Sequence, residues 1–216
     1  MHRQPRTRIK ICGITRADDA SAAVAAGADA IGLVFYAGSK RAVSIERALT
    51  ITAVIPAFVT VVGLFVNPAE AEVHAVLSQV PLDLLQFHGD ESPEFCNSFP
   101  RPFLKAVRMR TPDDLIEANR KFTQARGLLL DAWDSQQFGG TGKTFDWSML
   151  EQSAAVEPQL SRSRIIVAGG LDPTNVAAAI NAINPWAVDV SSGVEMAPGL
   201  KSAELIQSFI REVHRV

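Results

Sequence analysis

Residues 164–183 read RIIVAGGLDPTNVAAAINAI, and the fold turns on how this stretch is parsed. The run RIIVA is apolar without alternation, which suits a parallel strand buried on both faces. It ends in a Gly-Gly pair. Asp172-Pro173 then sets a capping side chain before a proline fit for a first helical position, and NVAAAINAI continues with helical period. The unit is strand, short loop, helix.

The same unit recurs in both directions from here. Apolar runs stand at RIKIC (8–12), AIGLVF (30–35), VTVVGLFV (59–66), LDLLQF (82–87), PFLKAV (102–107), GLLLD (127–131) and AVDVS (187–191). Helix starts follow them: Asn67-Pro68, Ser92-Pro93 and Thr111-Pro112 repeat the cap-proline pairing, Ser44 reads as a cap, and Thr15 with Asp18 as a variant capping box. A doubly wound open sheet would use the same local pattern. Eight β-α units within 216 residues favour a single-domain α/β (β/α)8 TIM barrel instead. Its expected limits are residues 8–216, with residues 1–7 as an N-terminal extension.

Composition narrows the function classes. With 47% hydrophobic and 20% charged residues the chain is not disordered, and a net charge of -2 disfavours a nucleic-acid surface. No apolar run reaches the roughly 18–20 residues of a membrane span. The basic opening MHRQPRTR is followed by a strand-length run, unlike a secretory signal. The two cysteines, Cys12 and Cys96, are too few and too far apart for a disulfide framework or a zinc site. A reducing cytoplasm is the expected location.

A barrel gives its site an address, the C-terminal strand ends and the loops after them. Cys12 ends the first strand. A buried cysteine is normally core filler, but at this face a thiolate can serve as general base if its pKa is lowered. Asp131 ends the sixth strand, where partial desolvation favours the protonated form that an acid catalyst needs. Arg41, after the second strand, can clamp a carboxylate bidentately, or it is a solvated surface arginine. Gln86 and His88 alternate at the end of the fourth strand and can orient a substrate. The histidines at 2, 74, 88 and 214 form no metal constellation. Gly169-Gly170 and Ser191-Ser192-Gly193 fall in the loops after strands seven and eight, where many barrels bind phosphate through glycine backbones and helix N-termini. These parts describe acid-base proton transfer on a phosphorylated small molecule.

One motif points elsewhere. FGGTGKTFDW (138–147) contains Gly142-Lys143-Thr144, the end of a triphosphate-binding loop, but Gln137 stands where that motif requires its first glycine. The preceding strand ends near Asp131, so the loop is not set between a strand and the helix it opens. A glycine-rich lid over the barrel mouth, with Lys143 touching substrate, is the preferred reading. A mobile surface loop is the plainer alternative.

Taken together, KICGIT, GADAIGLVFY, SKRAVS, VGLFVN, LLQFHG, LLLDA, GGTGKTFDW, AGGLDPTNV and AVDVSSGVE resemble the phosphoribosylanthranilate isomerase family from Lys10 to about Pro198. The resemblance implies an Amadori rearrangement of an aminoaldose phosphate in tryptophan biosynthesis. It implies Asp131 as the acid at the ring oxygen, Cys12 as the base at C2, and Arg41 on the anthranilate carboxylate with Gln86 and His88 nearby. Gly169, Gly170, Ser192 and Gly193 would take the phosphate, and Asp189 would help place the sugar. No metal or organic cofactor is implied, because the Schiff base uses the substrate's own nitrogen. The partner is a phosphorylated small molecule, and a monomer is expected. An indole-glycerol-phosphate synthase-like barrel is the nearest alternative. Lys10, two residues before Cys12, could supply its lysine, but the glutamates that chemistry needs are missing. A non-catalytic phosphate-binding barrel would keep the last two loops without needing Cys12 or Asp131. A nucleotide-binding switch is the weakest alternative.

Overall fold

The computed structural model describes residues 6–132, 146–157, 160 and 164–216. Among these, eight parallel strands close into a barrel in sequence order. They are β1 (Arg8–Cys12), β2 (Ala30–Val34), β3 (Thr60–Phe65), β4 (Leu84–Phe87), β5 (Phe103–Met109), β6 (Gly127–Ala132), β7 (Ile165–Val167) and β8 (Ala187–Val190). The helices outside are α1 (Ala17–Ala26), α2 (Ile45–Thr52), α3 (Glu70–Leu77), α4 (Pro93–Asn97), α5 (Pro112–Lys121), α6 (Ser148–Val156), α7 (Val176–Ile183) and α8 (Ala203–His214). The expected (β/α)8 barrel is the fold.

Strand periodicity divides the side chains between two cores. Outward positions such as Ile9, Ile11, Leu33, Phe65, Leu85 and Phe87 join the large apolar layer beneath the helices. Phe87 sits edge-on to Phe95 and Phe103, with ring centroids 5.7 and 6.0 Å away, which fastens α4 to the sheet. Inward positions Leu84, Leu104, Ala106, Leu129, Ile166, Ala168 and Ala187 fill the lower barrel. Inward residues nearer the strand C-termini turn polar: Lys10, Gln86, His88, Asp131 and Asp189 are all buried. That change marks the functional end of the barrel.

Two cap-proline readings hold, at Ser92 and Thr111, and so does the Ser44 cap. Ser92 and Ser44 accept hydrogen bonds from the Phe95 and Arg47 amides, with Pro93 opening α4. Thr111 is the N-cap of α5, where Asp114 Oδ2 accepts its amide at 2.8 Å. The other three cap positions differ. Asn67 takes a left-handed φ of 45° and its Oδ1 accepts from the Asp90 amide, so α3 starts later, after Ala69. Asp172 caps a turn, accepting from the Thr174 amide, and Asn175 precedes α7. Thr15 donates to Gly199 O rather than boxing with Asp18, and Arg16 is the N-cap of α1.

A small antiparallel pair, β9 (Glu195–Ala197) and β10 (Leu200–Lys201), follows β8 and returns the chain to the barrel mouth. Residues 1–5 of the expected extension lie outside the described residues, while Arg6 is tied to Asp29 by a fork of two hydrogen bonds.

Candidate active site

Cys12, Arg41, Gln86, His88, Asp131, Gly169, Gly170, Asp189 and Ser192 line one cavity at the C-terminal mouth of the barrel. They come from both ends of the sequence. The barrel brings them together because each sits at the end of an inward-facing strand row or in the loop just after it. Lys143 lies outside the described residues, as does the GGTGKT motif around it.

On one wall, Asp131 is buried and held at both oxygens. Its Oδ1 accepts the Ala132 amide at 2.9 Å, and its Oδ2 lies 3.1 Å from His88 Nε2. Gln86 Nε2 stands 2.9 Å from His88 Nδ1. With the amide oriented this way, Nδ1 accepts and Nε2 carries the proton toward Asp131. Gln86 Oε1 is buried with no partner among the described residues.

On the opposite wall, Cys12 Sγ is buried beside Lys10, whose Nζ donates to Asp189 Oδ1 at 2.8 Å. Burial pushes the Cys12 thiol up from its ordinary range, and the Lys10 ammonium works against that rise. Burial also opposes charge on Lys10, but Asp189 and Cys12 outweigh it and raise its pKa. The sequence reading makes a thiolate base conditional on a lowered pKa; burial acts against that condition, because a desolvated thiolate loses its hydration.

The loop after β2 carries Arg41 inward. Its Nε and Nη2 grip Glu195 Oε1 and Oε2, each at 2.8 Å, which is a bidentate pair rather than a solvated side chain. Lys201 Nζ donates to the same carboxylate at 2.8 Å and to Ser191 O at 2.9 Å. Burial works against the Glu195 charge, but Arg41 and Lys201 hold its carboxyl below the usual range. Burial lowers Lys201 in spite of Glu195.

The loops after β7 and β8 pack on each other. Gly169 and Gly170 adopt φ of 74° and 63°, conformations that L side chains resist. Asn175 Nδ2 holds Gly170 O at 2.8 Å while its Oδ1 accepts the Asp172 amide, fixing this loop at the start of α7. Gly193 is not among the residues that line the cavity; a Cβ there would press on the Leu171 carbonyl, so the position has room only for glycine.

Sequence reasoning missed Glu195, Lys201 and Asn175, and left Lys10 without a place in the site. A signal for the first two existed: Pro198-Gly199, with Gly199 at φ 80°, marks the turn of the hairpin that carries them. Among the described residues no group of three or more His, Cys, Asp or Glu side chains could hold a metal ion. None of the described helices is long and apolar enough to cross a membrane.

The comparisons with known proteins agree with this geometry. A family model described as N-(5'phosphoribosyl)anthranilate (PRA) isomerase matches residues 9–212. An N-(5'-phosphoribosyl)anthranilate isomerase of Pseudomonas fluorescens is 53% identical over 211 residues, covering 98% of this chain and 97% of its own. A structure of mutually generated monomers of a dimeric phosphoribosylanthranilate isomerase from Thermotoga maritima superposes with a TM-score of 0.83 at 38% identity, over 97% of this chain and 100% of that one. A phosphoribosyl anthranilate isomerase in complex with reduced 1-(o-carboxyphenylamino)-1-deoxyribulose 5-phosphate gives 0.82 at 38% identity, with the same coverage.

Proposed function

We infer the roles of the mouth residues from one premise: this chain belongs to the N-(5'-phosphoribosyl)anthranilate isomerase family, and it isomerises that aminoaldose to its aminoketose in tryptophan biosynthesis. The observation that carries the roles is the facing of two buried groups across one cavity, a carboxyl on β6 and a thiol on β1.

Asp131 is the general acid. It gives its proton to the furanose ring oxygen as the C1–O bond breaks, and the lone pair of the anthranilate nitrogen forms the C1=N bond. Cys12, as thiolate, then takes the proton from C2. The C2–H electrons form C1=C2, and the C=N electrons return to nitrogen. The resulting enolamine gains a proton at C1 and loses the one on its C2 hydroxyl, which leaves the ketone. The nitrogen sink belongs to the substrate, so this chemistry calls for no added group.

The remaining residues position the substrate. Glu195 occupies the Nε–Nη2 edge of Arg41, and we assign the other edge to the anthranilate carboxylate. Gly169, Gly170 and Ser192 form the phosphate cup, with Gly193 setting its depth. Asp189, assigned by resemblance to the sugar, also anchors Lys10. The test follows the fluorescence of fresh phosphoribosylanthranilate. Acceleration over the spontaneous background is expected, with Cys12→Ala and Asp131→Asn each removing nearly all turnover while melting as wild type does. Near-normal activity in either variant overturns its role.

A monomer in the cytoplasm is the remaining part of the proposal. The monomer is supported by the small number of large apolar side chains exposed among the described residues, Leu49, Val156, Met196 and Val216 among them. Sedimentation velocity checks it. Phe58, fully exposed, is the first residue to substitute if a dimer is found.

A further inference from the structure

The proposed base has an unsolved problem. Cys12 is buried, and desolvation favours its thiol, whereas only the thiolate can take the C2 proton. The charged groups around it come from four elements. Lys10 shares its strand, Asp189 stands on β8, Lys201 on β10, and Arg41 in the loop after β2. All three cations also pair with a carboxylate, Arg41 and Lys201 with Glu195 and Lys10 with Asp189.

Lys10 is different. It lies two residues before Cys12, so strand alternation turns both side chains into the barrel. On the neighbouring strand Gly32 is the register partner of Cys12. A Cβ on Gly32 would stand 2.8 Å from Cys12 Sγ and 3.2 Å from Lys10 Cε, so the sulfur and the lysine stem meet over this one bare backbone position. Asp189 Oδ1, at 2.8 Å, fixes the ammonium there. A buried ion pair of this kind is weak ground for stability, because apolar side chains of similar volume would often serve as well. Its place beside the base asks for another reason.

We propose that Lys10 is the positioning residue that holds Cys12 as a thiolate, with Asp189 anchoring the ammonium and Gly32 leaving the space in which it reaches the sulfur. On forming the thiolate, the thiol proton passes to solvent at the barrel mouth and Lys10 keeps its own. After C2 is deprotonated, the new thiol returns its proton by the same route. Of the groups near Cys12, Lys10 offsets the burial of the thiolate most strongly, while Asp189 acts in the opposite sense. The proposal rests on Cys12 being the base, but it can be tested without turnover.

The experiment is alkylation of Cys12 by iodoacetamide across a pH series without substrate, read by mass spectrometry at that residue. Lys10→Met is expected to raise the midpoint of the rate profile by about 1 to 3 pH units, the size of an opposite-charge effect at short range. Lys10→Arg should restore much of that shift, and Asp189→Asn should move the midpoint below wild type. A Lys10→Met profile that superposes on wild type, or an Asp189→Asn midpoint that is unchanged or higher, overturns the proposal. If Lys10→Met does not fold, Lys10→Gln is read in its place, and a profile there that superposes on wild type overturns the proposal. Isomerisation that stays near normal at neutral pH while these alkylation shifts appear would count against the base assignment alone.

Discussion

His88 Nε2 stands 3.1 Å from Asp131 Oδ2, and the same ring is fixed at Nδ1 by Gln86 Nε2 at 2.9 Å. His88 directly follows β4 and Asp131 lies near the end of β6, and the two face each other across β5. A general acid works only if its proton points at the leaving oxygen, so the ring that grips Oδ2 decides how the carboxyl is turned.

His88→Ala should therefore lower kcat more than it raises KM. The expected loss is on the order of 10- to 100-fold, at or below the lower part of the 10²–10⁴ that a general acid itself contributes. His88→Gln, which can offer an amide N–H near the Nε2 position, should recover part of it. Steady-state kinetics on both variants check this. Unchanged kcat with raised KM would return His88 to plain substrate contact.

The Glu195 carboxylate predicts a pH signature. Its folded pKa lies below the ordinary glutamate value of 4.5, because Arg41 and Lys201 outweigh the cost of burial. A depressed pKa contributes stability that is full above the unfolded value and is lost as pH falls through the folded one. Glu195→Gln should thus destabilise the protein at neutral pH, by on the order of 3 kcal/mol for a broken buried pair. That deficit should shrink as pH drops below 4.5. Urea melts of both proteins across the acid range measure it. A deficit that stays constant with pH would mean the carboxylate charge contributes nothing.

Much of this site was legible because a barrel ties position in the strand to position in space. Once RIIVAGGLDPTN was read as a strand, loop and helix start, Cys12, Gln86, His88, Asp131 and Asp189 followed as inward strand-end residues. The cap-proline rule succeeded where the proline directly opens a helix, as at Pro93 and Pro112. It failed at Asn67 and Asp172, where further residues separate the proline from the helix: the Asn67 side chain serves the Asp90 amide in the loop after β4, and that of Asp172 serves its own turn at Thr174. Glu195 and Lys201 were hidden for another reason. They act by returning to the mouth through a hairpin, and composition alone does not say where a hairpin returns. The Lys10–Asp189 pair joins residues 179 positions apart, a contact that only the closure of β1 on β8 creates.

Gly193 offers a direct test of the phosphate cup. It does not line the cavity, yet its Cα rests on the Leu171 carbonyl in the neighbouring loop. A side chain there would press on backbone, which cannot swing aside as a side-chain end can. Gly193→Ala should push apart the loops after β7 and β8 and displace Ser192 from Gly169 and Gly170. The expected result is a KM raised about tenfold or more, equivalent to about 1.4 kcal/mol of lost binding. Stability should fall by about 1 to 3 kcal/mol, the usual cost of overpacking. Because Cys12 and Asp131 sit on other strands, kcat at saturating substrate should change much less. Inorganic phosphate, as a competitive inhibitor, isolates the cup from the rest of the substrate. Its inhibition constant should rise together with KM, and a constant that stays put while KM rises would locate the phosphate elsewhere in the mouth.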